Sequence, residues 1–280
     1  MLVCQGRAVA DGRLAPNRFR DPTASAFLRT SEAIPVAQVR AGDPPSGFGE
    51  RIEFEMVQAS AEVMVPRTVA IDDALREHVT PQLVILGAGL DGRAWRIDDL
   101  ASVEVFEVDH PASQRDKRGR VADLPTHAKS LHFVPVDFTR DDLDGALESA
   151  GHQETVPTTW IWEGVVPYLT RTEVDATVRV VADRSDRGSR LIVNYQTPSL
   201  SAAAGRAFAR ALALIGRRPD PLAREARRSS WTPEAMRARL GRYGLHVVRD
   251  TDLLTLAERL PMAVRHRRSL RTGHIAVADR

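Results

Sequence analysis

The sequence predicts an α/β protein built on a doubly wound, mostly parallel sheet with helices on both faces. Three observations predict it. Short apolar runs rich in β-branched and aromatic residues recur between positions 81 and 195. Charged segments of helical length separate them. The first run ends in a glycine turn that opens the next segment, as expected where a parallel strand hands over to a crossover helix.

The elements follow in order. Residues 1–50 read as a loop-rich lead-in: Asp21-Pro22 starts a turn, Asp43-Pro44-Pro45-Ser46-Gly47 is a loop, and short helices fit between 23 and 40. Cys4 is expected in a mobile terminus. Residues 50–79 read as helical, with apolar Ile52, Met56, Val63, Val69, Ala70 and Leu75, and Pro66 is expected to break or kink that helix. Strands are expected at Leu83-Val84-Ile85-Leu86, at 103–108, at 131–136, at Trp160-Ile161-Trp162 and at Leu191-Ile192-Val193, with both tryptophans in the core. Helices are expected at 92–100, 111–124, 140–150 and 171–184. Beyond Tyr195 the alternation lapses: 201–215 is an Ala-rich helix, and Pro219 and Pro221 mark a loop. Thr232 then caps a helix with Pro233 in its first turn, and 245–248 and 274–278 read as two last strands.

Composition narrows the function classes. The 280 residues are 43% hydrophobic, which excludes wholesale disorder. No apolar run reaches the ~18–20 residues of a membrane helix. The N-terminus carries charge and no apolar signal region, so a cytoplasmic protein without membrane partners is expected. The single cysteine excludes a disulfide scaffold and a cysteine zinc site within one chain. Scattered histidines with no ligand spacing predict no metal. The 39 cations outnumber the 37 anions by only two, and the basic stretches at 217–228 and 265–271 are interrupted and poor in aromatics. They read as solvated faces, and no nucleic-acid partner is expected.

The sharpest local feature is Leu86-Gly87-Ala88-Gly89-Leu90-Asp91-Gly92. It satisfies G-x-G-x-x-G, with Glu107 twenty residues past Gly87 at the end of the next strand. Glycines there permit a tight turn and close approach of a nucleotide-type ligand. A dinucleotide would lay its pyrophosphate over this loop and the helix start, where Asp91 would repel it. S-adenosylmethionine carries no phosphate. Its ammonium and sulfonium favour nearby carboxylates, its ribose needs an acidic acceptor such as Asp109 or Glu107, and its carboxylate suits an arginine. The electrostatics favour S-adenosylmethionine over NAD.

Four blocks in order then resemble the leucine carboxyl methyltransferase-like family. They are Leu83 to Asp91; Phe106-Glu107-Val108-Asp109-His110-Pro111 with Lys117 following; Phe133-Val134-Pro135-Val136-Asp137-Phe138; and Trp162-Glu163-Gly164-Val165-Val166-Pro167-Tyr168-Leu169. Pro66-Arg67-Thr68 with Ile71-Asp72-Asp73, Arg20-Asp21-Pro22, and Gly188-Ser189-Arg190-Leu191 with Tyr195 extend the likeness over about 20–195. Gly92 departs from the family's usual threonine, and the stretch before Arg67 diverges. The resemblance implies a class I methyltransferase fold: a Rossmann-like, seven-stranded sheet whose last strand is antiparallel. It implies one domain, with 1–50 an N-terminal lid, 51–198 the cofactor-binding core, 199–240 a helical lid insertion and 241–280 the final strands. By position, Arg67 would pair with the cofactor carboxylate, and Gly87, Ala88 and Gly89 would line the methionine half. Asp109 would hold the ribose, Asp137 and Phe138 would flank the adenine, and Glu163 would lie near the methionine portion. Tyr168 and Tyr195 are candidates to face the substrate.

The expected reaction is O-methylation of a small molecule such as a polyketide or another secondary metabolite, with a carboxylate acceptor ahead of a hydroxyl. A carboxylate is ionised at neutral pH and needs orientation but no base, and no histidine or paired-carboxylate base stands out. No catalytic residue is therefore assigned. Segments 1–50 and 199–240, carrying Phe19, Phe27, Phe48, Phe208 and Trp231, would roof the acceptor pocket. Two readings compete. An NAD-dependent oxidoreductase would match the glycine motif, but a Tyr-x-x-x-Lys pair is impossible with lysine only at 117 and 129. A cyclase-like protein that binds S-adenosylmethionine without transferring its methyl group would keep the same cofactor residues.

Overall fold

The computed structural model describes residues 1–198 and 228–280. Its centre is a seven-stranded sheet of β1 (Gln82–Leu86), β2 (Glu104–Asp109), β3 (Ser130–Pro135), β4 (Thr158–Trp162), β5 (Arg190–Gln196), β6 (His246–Asp252) and β7 (Gly273–Asp279). The spatial order is β3-β2-β1-β4-β5-β7-β6. The first five strands pair in parallel, and β7 runs antiparallel to both β5 and β6. This is the class I methyltransferase arrangement, with all seven strands where the apolar runs placed them. The chain order reverses direction between β1 and β4, which makes the carboxyl ends of those strands the natural crevice for a ligand.

The sheet is buried on both faces. Ile85, Val105, Ile161, Ile192, Ile275 and Val277 face one core; Val84, Phe106, Trp160, Trp162, Leu191 and Val193 face the other. Both tryptophans are fully buried, as expected. Several of the helices that cover these faces start on side-chain caps. Asp142 accepts from the Asp144 amide at the start of α7 (Leu143–Ser149). Thr170 and Glu173 form a reciprocal capping box on α8 (Arg171–Asp183). Thr232 caps α9 (Pro233–Gly241), with Pro233 in its first turn. α6 (Pro111–Val121) also begins on a proline. Two short helices not foreseen, α10 (Leu253–Ala257) and α11 (Arg267–Thr272), bridge β6 and β7.

The largest departure lies in residues 1–50. The short helices expected between 23 and 40 are α2 (Pro22–Ala26) and α3 (Thr30–Ala41), but the chain before them is not loop-rich: it forms α1 (Leu2–Ala10). Gly6 disguises α1 in the sequence, and it has a packing role: a Cβ there would lie 2.5 Å from Ser60 Oγ, so α1 crosses the helix that carries Ser60 at close range. Cys4 is correspondingly not mobile. It is buried, and its thiol donates to the Ala24 carbonyl at 3.2 Å. The helix α4 (Phe48–Arg76) runs unbroken through Pro66. That proline leaves the Glu62 carbonyl without its helical donor, yet the helix continues past it to Arg76. The segment after the glycine loop is shorter than expected: α5 spans only Arg93–Arg96, followed by a 3-10 turn at Asp98–Ser102. The expected helix at 201–215 and the loop at Pro219 and Pro221 lie outside the described residues.

Candidate functional site

The site forms where β1, β2 and β4 end beneath α1 and α4. The loop after β1 turns back sharply because the Gly87 and Ala88 amides both donate to the Val108 carbonyl, at 2.7 and 3.1 Å. Gly87 has φ +70°, and a Cβ on it would collide with Val165. Glycine is therefore required there on both counts. Asp109, at the end of β2, fixes the far side of the turn. Its Oδ2 accepts from the Gly89 amide at 2.5 Å, and its Oδ1 accepts from the His110 amide at 2.6 Å. Gly92, the departure from the family pattern, has a local cause: a Cβ at 92 would occupy the position of the Thr23 hydroxyl on α2.

A cavity of about 300 Å³ opens over this loop, and Arg67, Gly87, Ala88, Gly89 and Glu163 all line it. Arg67 projects from α4 and Glu163 follows β4. Their Nε and Oε1 lie 2.7 Å apart, and both side chains are 9% exposed. The contact is close but lacks hydrogen-bond geometry. The terminal nitrogens of Arg67 make no hydrogen bond among the described residues. Both Glu163 oxygens are thus engaged by arginines, while the terminal nitrogens of Arg67 keep donor capacity on the wall of a ligand-sized cavity.

Behind the wall lies a cluster that the sequence does not announce. Arg93 Nε is 2.7 Å from Asp72, and Arg93 Nη1 contacts Asp91 and Glu163, the latter at 2.9 Å. Arg96 reaches Asp72 at 2.6 Å, and Arg7 from α1 reaches Asp21 at 3.2 Å. The four arginines Arg7, Arg67, Arg93 and Arg96 face the four carboxylates Asp21, Asp72, Asp91 and Glu163, so their formal charges cancel. Burial works to raise the Glu163 carboxyl, but Arg67, Arg93 and Arg7 outweigh it and hold it well below the usual carboxylate range. Asp72 is likewise lowered against its burial by Arg96 and Arg93. Arg67 is shifted down by burial, with Glu163 opposing. The net result is an ionised pair at the cavity wall. Arg7 also donates to the Leu90 carbonyl at 2.5 Å, which ties α1 to the glycine loop. Arg7 was missed because it stands sixty residues before Arg67 in a stretch read as loop.

Glu107 and Asp109 have opposite fates. Glu107 faces into the protein and meets Lys117 Nζ at 2.6 Å, with Lys117 also donating to the Asp91 carbonyl at 2.7 Å. Burial pushes the Glu107 carboxyl up to about 7, with Lys117 opposing. It supports the loop from below and is not placed to meet a ligand. Asp137 and Phe138 follow β3, next to Asp109: Val136 donates to the Asp109 carbonyl at 2.8 Å. Asp137 accepts from the Thr139 amide and hydroxyl at 3.0 and 2.7 Å, and these bonds lower its pKa. Asp137 therefore closes a turn beside His110, whose Nε2 is 4.0 Å away, and Phe138 packs against the second core; neither they nor Asp109 line the cavity itself.

The candidates for the substrate side divide. Tyr168 ends the 3-10 turn Val166–Tyr168 after Glu163 and is 42% exposed. Tyr195 does not reach the cavity. It shares the face of Leu191 and Val193 in the second core, and its hydroxyl donates to Asp250 at 2.6 Å. Burial and Asp250 raise its pKa. Phe19, Phe27 and Trp231 are also core residues rather than a roof, while Phe48 is exposed. Phe208 lies outside the described residues. What covers the cavity is α1, through Met1, Val3, Cys4 and Arg7.

The geometry agrees with comparisons to known proteins. The sequence model described as "Leucine carboxyl methyltransferase" matches residues 1–182, well over half of the chain. The chain belongs to the leucine carboxyl methyltransferase family. Relatives in that family include proteins named "Putative S-adenosyl-L-methionine-dependent methyltransferase" in Streptomyces coelicolor and in Mycobacterium sp. strain KMS. The first is 35% identical over 179 residues, 62% of this chain and 60% of the relative. The second is 39% identical over 205 residues, 69% of this chain and 64% of the relative. The chain thus spans under two thirds of the length of the curated relatives it matches. Two solved structures share the fold at 14% identity. A DUF574 family protein from Streptomyces avermitilis has a TM-score of 0.59 and covers 100% of this chain and 97% of its own. A protein titled a putative methyltransferase from Thermobifida fusca has a TM-score of 0.52, covering 99% and 94%. Among the described residues no helix is long and apolar enough to cross a membrane.

Proposed function

We propose that this leucine carboxyl methyltransferase family member is an S-adenosylmethionine-dependent O-methyltransferase acting on a small molecule, with a carboxylate as the preferred acceptor. The observation that carries the reading is the buried Arg67–Glu163 ion pair on the wall of the cavity over Gly87-Ala88-Gly89, with the terminal nitrogens of Arg67 making no hydrogen bond among the described residues. The cofactor fits the charges. The side chains lining the cavity include two arginines, Arg7 and Arg67, and three carboxylates, Asp91, Asp116 and Glu163. That balance suits a ligand with one carboxylate and two cationic centres. It opposes a pyrophosphate, and the four-residue α5 offers little dipole to hold one.

Arg67 would bind the cofactor carboxylate through its terminal nitrogens, while Glu163 and the adjoining Arg93 fix the direction of the guanidinium. Glu163 would also balance the cationic methionine portion. Gly87, Ala88 and Gly89 would let the ligand approach the backbone. Asp109, already fixed by the Gly89 and His110 amides, would accept from the ribose hydroxyls. Asp137 and Phe138 would flank the adenine. Bound S-adenosylmethionine would supply an electrophilic methyl group. The protein's task is then to exclude water and align an acceptor with that group. The α1 helix does the first, held down by Arg7 on Asp21 and on the Leu90 carbonyl. An acceptor carboxylate is ionised at neutral pH, so no proton need be removed from it. Tyr168, beyond Glu163 on the β4 loop, is the described candidate for acceptor contact.

Incubation with methyl-labelled S-adenosylmethionine and a panel of small carboxylic acids, phenols and amines tests this. Base-labile label on carboxylic acids, with stoichiometric S-adenosylhomocysteine, is the expected result. Label only on amines or carbon would refute O-methylation, and cofactor binding without turnover on any acceptor would favour the non-methylating alternative.

A further inference from the structure

A second cavity, of about 270 Å³, lies against a different face of α4 from the one that carries Arg67. The helix supplies Pro66, Val69, Ala70, Asp73 and Glu77, spaced i, i+3, i+4, i+7 and i+11, which is one continuous stripe of an α-helix. The floor is completed by Ile275 and Val277 on β7 and by Leu260 beyond α10. Val69, Leu260, Ile275 and Val277 are buried side chains whose surfaces end at this space.

The rim is charged and unbalanced. Arg18 pairs with Asp73 at 2.7 Å. Arg249 takes both oxygens of Glu77, at 3.2 and 2.9 Å, and Arg190 approaches the same carboxylate at 3.8 Å. Both carboxylates are therefore already occupied. Arg259 completes the rim, and its guanidinium makes no ion pair or hydrogen bond among the described residues. Three arginines stand against two carboxylates around an apolar floor.

We propose that this cavity is a binding site for a small monocarboxylate with a compact apolar body, distinct from the site over the glycine loop. The apolar part would lie on Val69, Ala70, Ile275 and Val277, and the carboxylate would meet Arg259 at the rim. The volume falls just below the about 300–1,000 Å³ typical of drug-sized ligand pockets, which limits the occupant to a small molecule. A cation is disfavoured by the surplus arginine, and a neutral molecule would gain no charge-assisted bond from the exposed Arg259 guanidinium. The inference does not depend on the methyltransferase reading, because none of the cofactor residues lines this space.

Octanoate, octylamine and 1-octanol are the probes, each titrated into the full chain by calorimetry and followed by ligand-observed NMR. Octanoate is expected to bind with a dissociation constant on the order of 0.1–1 mM, about what ten heavy atoms sustain. Octylamine is expected not to bind, and 1-octanol to bind more weakly than octanoate. Arg259→Gln, on the surface, is expected to weaken octanoate about five- to tenfold and leave 1-octanol unchanged. Ala70→Phe, which fills the floor, is expected to abolish binding of both, with the melting curve confirming that the variant folds. No octanoate binding in this range, equal binding of octylamine, or octanoate binding unchanged in Arg259→Gln would each overturn the proposal. Should Ala70→Phe not fold, the charge dependence and the Arg259 variant decide it alone.

Discussion

Two polar clusters sit at the same end of the sheet and are built on opposite plans. At the ends of β1, β2 and β4, buried polar atoms without hydrogen bonds accumulate: Arg67 Nε, Glu163 Oε1, Arg93 Nη2 and Arg96 Nη2 among them. At the ends of β5, β6 and β7, Tyr195 donates to Asp250, and His274 lies 3.0 Å from the other Asp250 oxygen while stacking on the tyrosine ring. None of the fully buried side-chain nitrogens or oxygens without a hydrogen bond among the described residues belongs to that second cluster. The first is open and lines a cavity; the second is closed and pins strands. Unmet polar valence in a buried setting, rather than the mere presence of titratable residues, distinguishes a site that awaits a ligand from one that holds a fold.

The hardest way to break the contrast is to remove a charge from the open cluster. Arg93→Met leaves Asp72, Asp91 and Glu163 facing each other in the interior and is expected to cost about 3–5 kcal/mol, measured by denaturant unfolding. Tyr195→Phe, in the closed cluster, is expected to cost about 1.5–3 kcal/mol while leaving S-adenosylhomocysteine affinity unchanged. A large loss of affinity in that variant would mean that the two clusters are not separate. Gly87→Ala places a methyl group against Val165 at a positive φ and is expected to cost about 1–3 kcal/mol. Unlike Tyr195→Phe, it should also weaken S-adenosylhomocysteine in calorimetry.

The smallest effect at neutral pH concerns a third polar group, His152. Its Nδ1 accepts from Arg184 Nε at 3.2 Å, and its Nε2 lies 3.1 Å from the Thr158 hydroxyl. Burial, and then Arg184, lower its pKa from 6.5 to about 4. In this window the unfolded chain binds a proton that the folded protein refuses, so stability is lost as pH falls from 6.5 towards 4 and is unaffected above it. Melting temperatures across that range should show a shallower acid slope in His152→Gln than in the parent.

The sheet was legible because each strand is an apolar run with a polar stop. Asp109, Glu163 and the glycine turn were legible because they stand at those stops. The lead-in was not, because α1 contains a glycine whose packing against Ser60 no local rule reveals. Arg7 follows from the same gap: its role exists only once α1 is laid across the loop. Tyr195 was misplaced although period-two alternation puts it on the face of Leu191 and Val193; a tyrosine at a strand end was read as a functional group when its hydroxyl had a partner two strands away. Charge alone left both Glu107 and Asp109 open as ribose acceptors and the family resemblance chose Asp109; in the structure Glu107 is turned inward onto Lys117.

The central claim is that the open cluster receives the cofactor of a methyltransferase. Calorimetric titration of the protein with S-adenosylhomocysteine and, separately, NADH tests it most directly. The account predicts S-adenosylhomocysteine binding in about the micromolar range, weakened about a hundredfold or more in Asp109→Ala, and no binding of NADH. Binding of NADH alone, or S-adenosylhomocysteine binding untouched by Asp109→Ala, would contradict it.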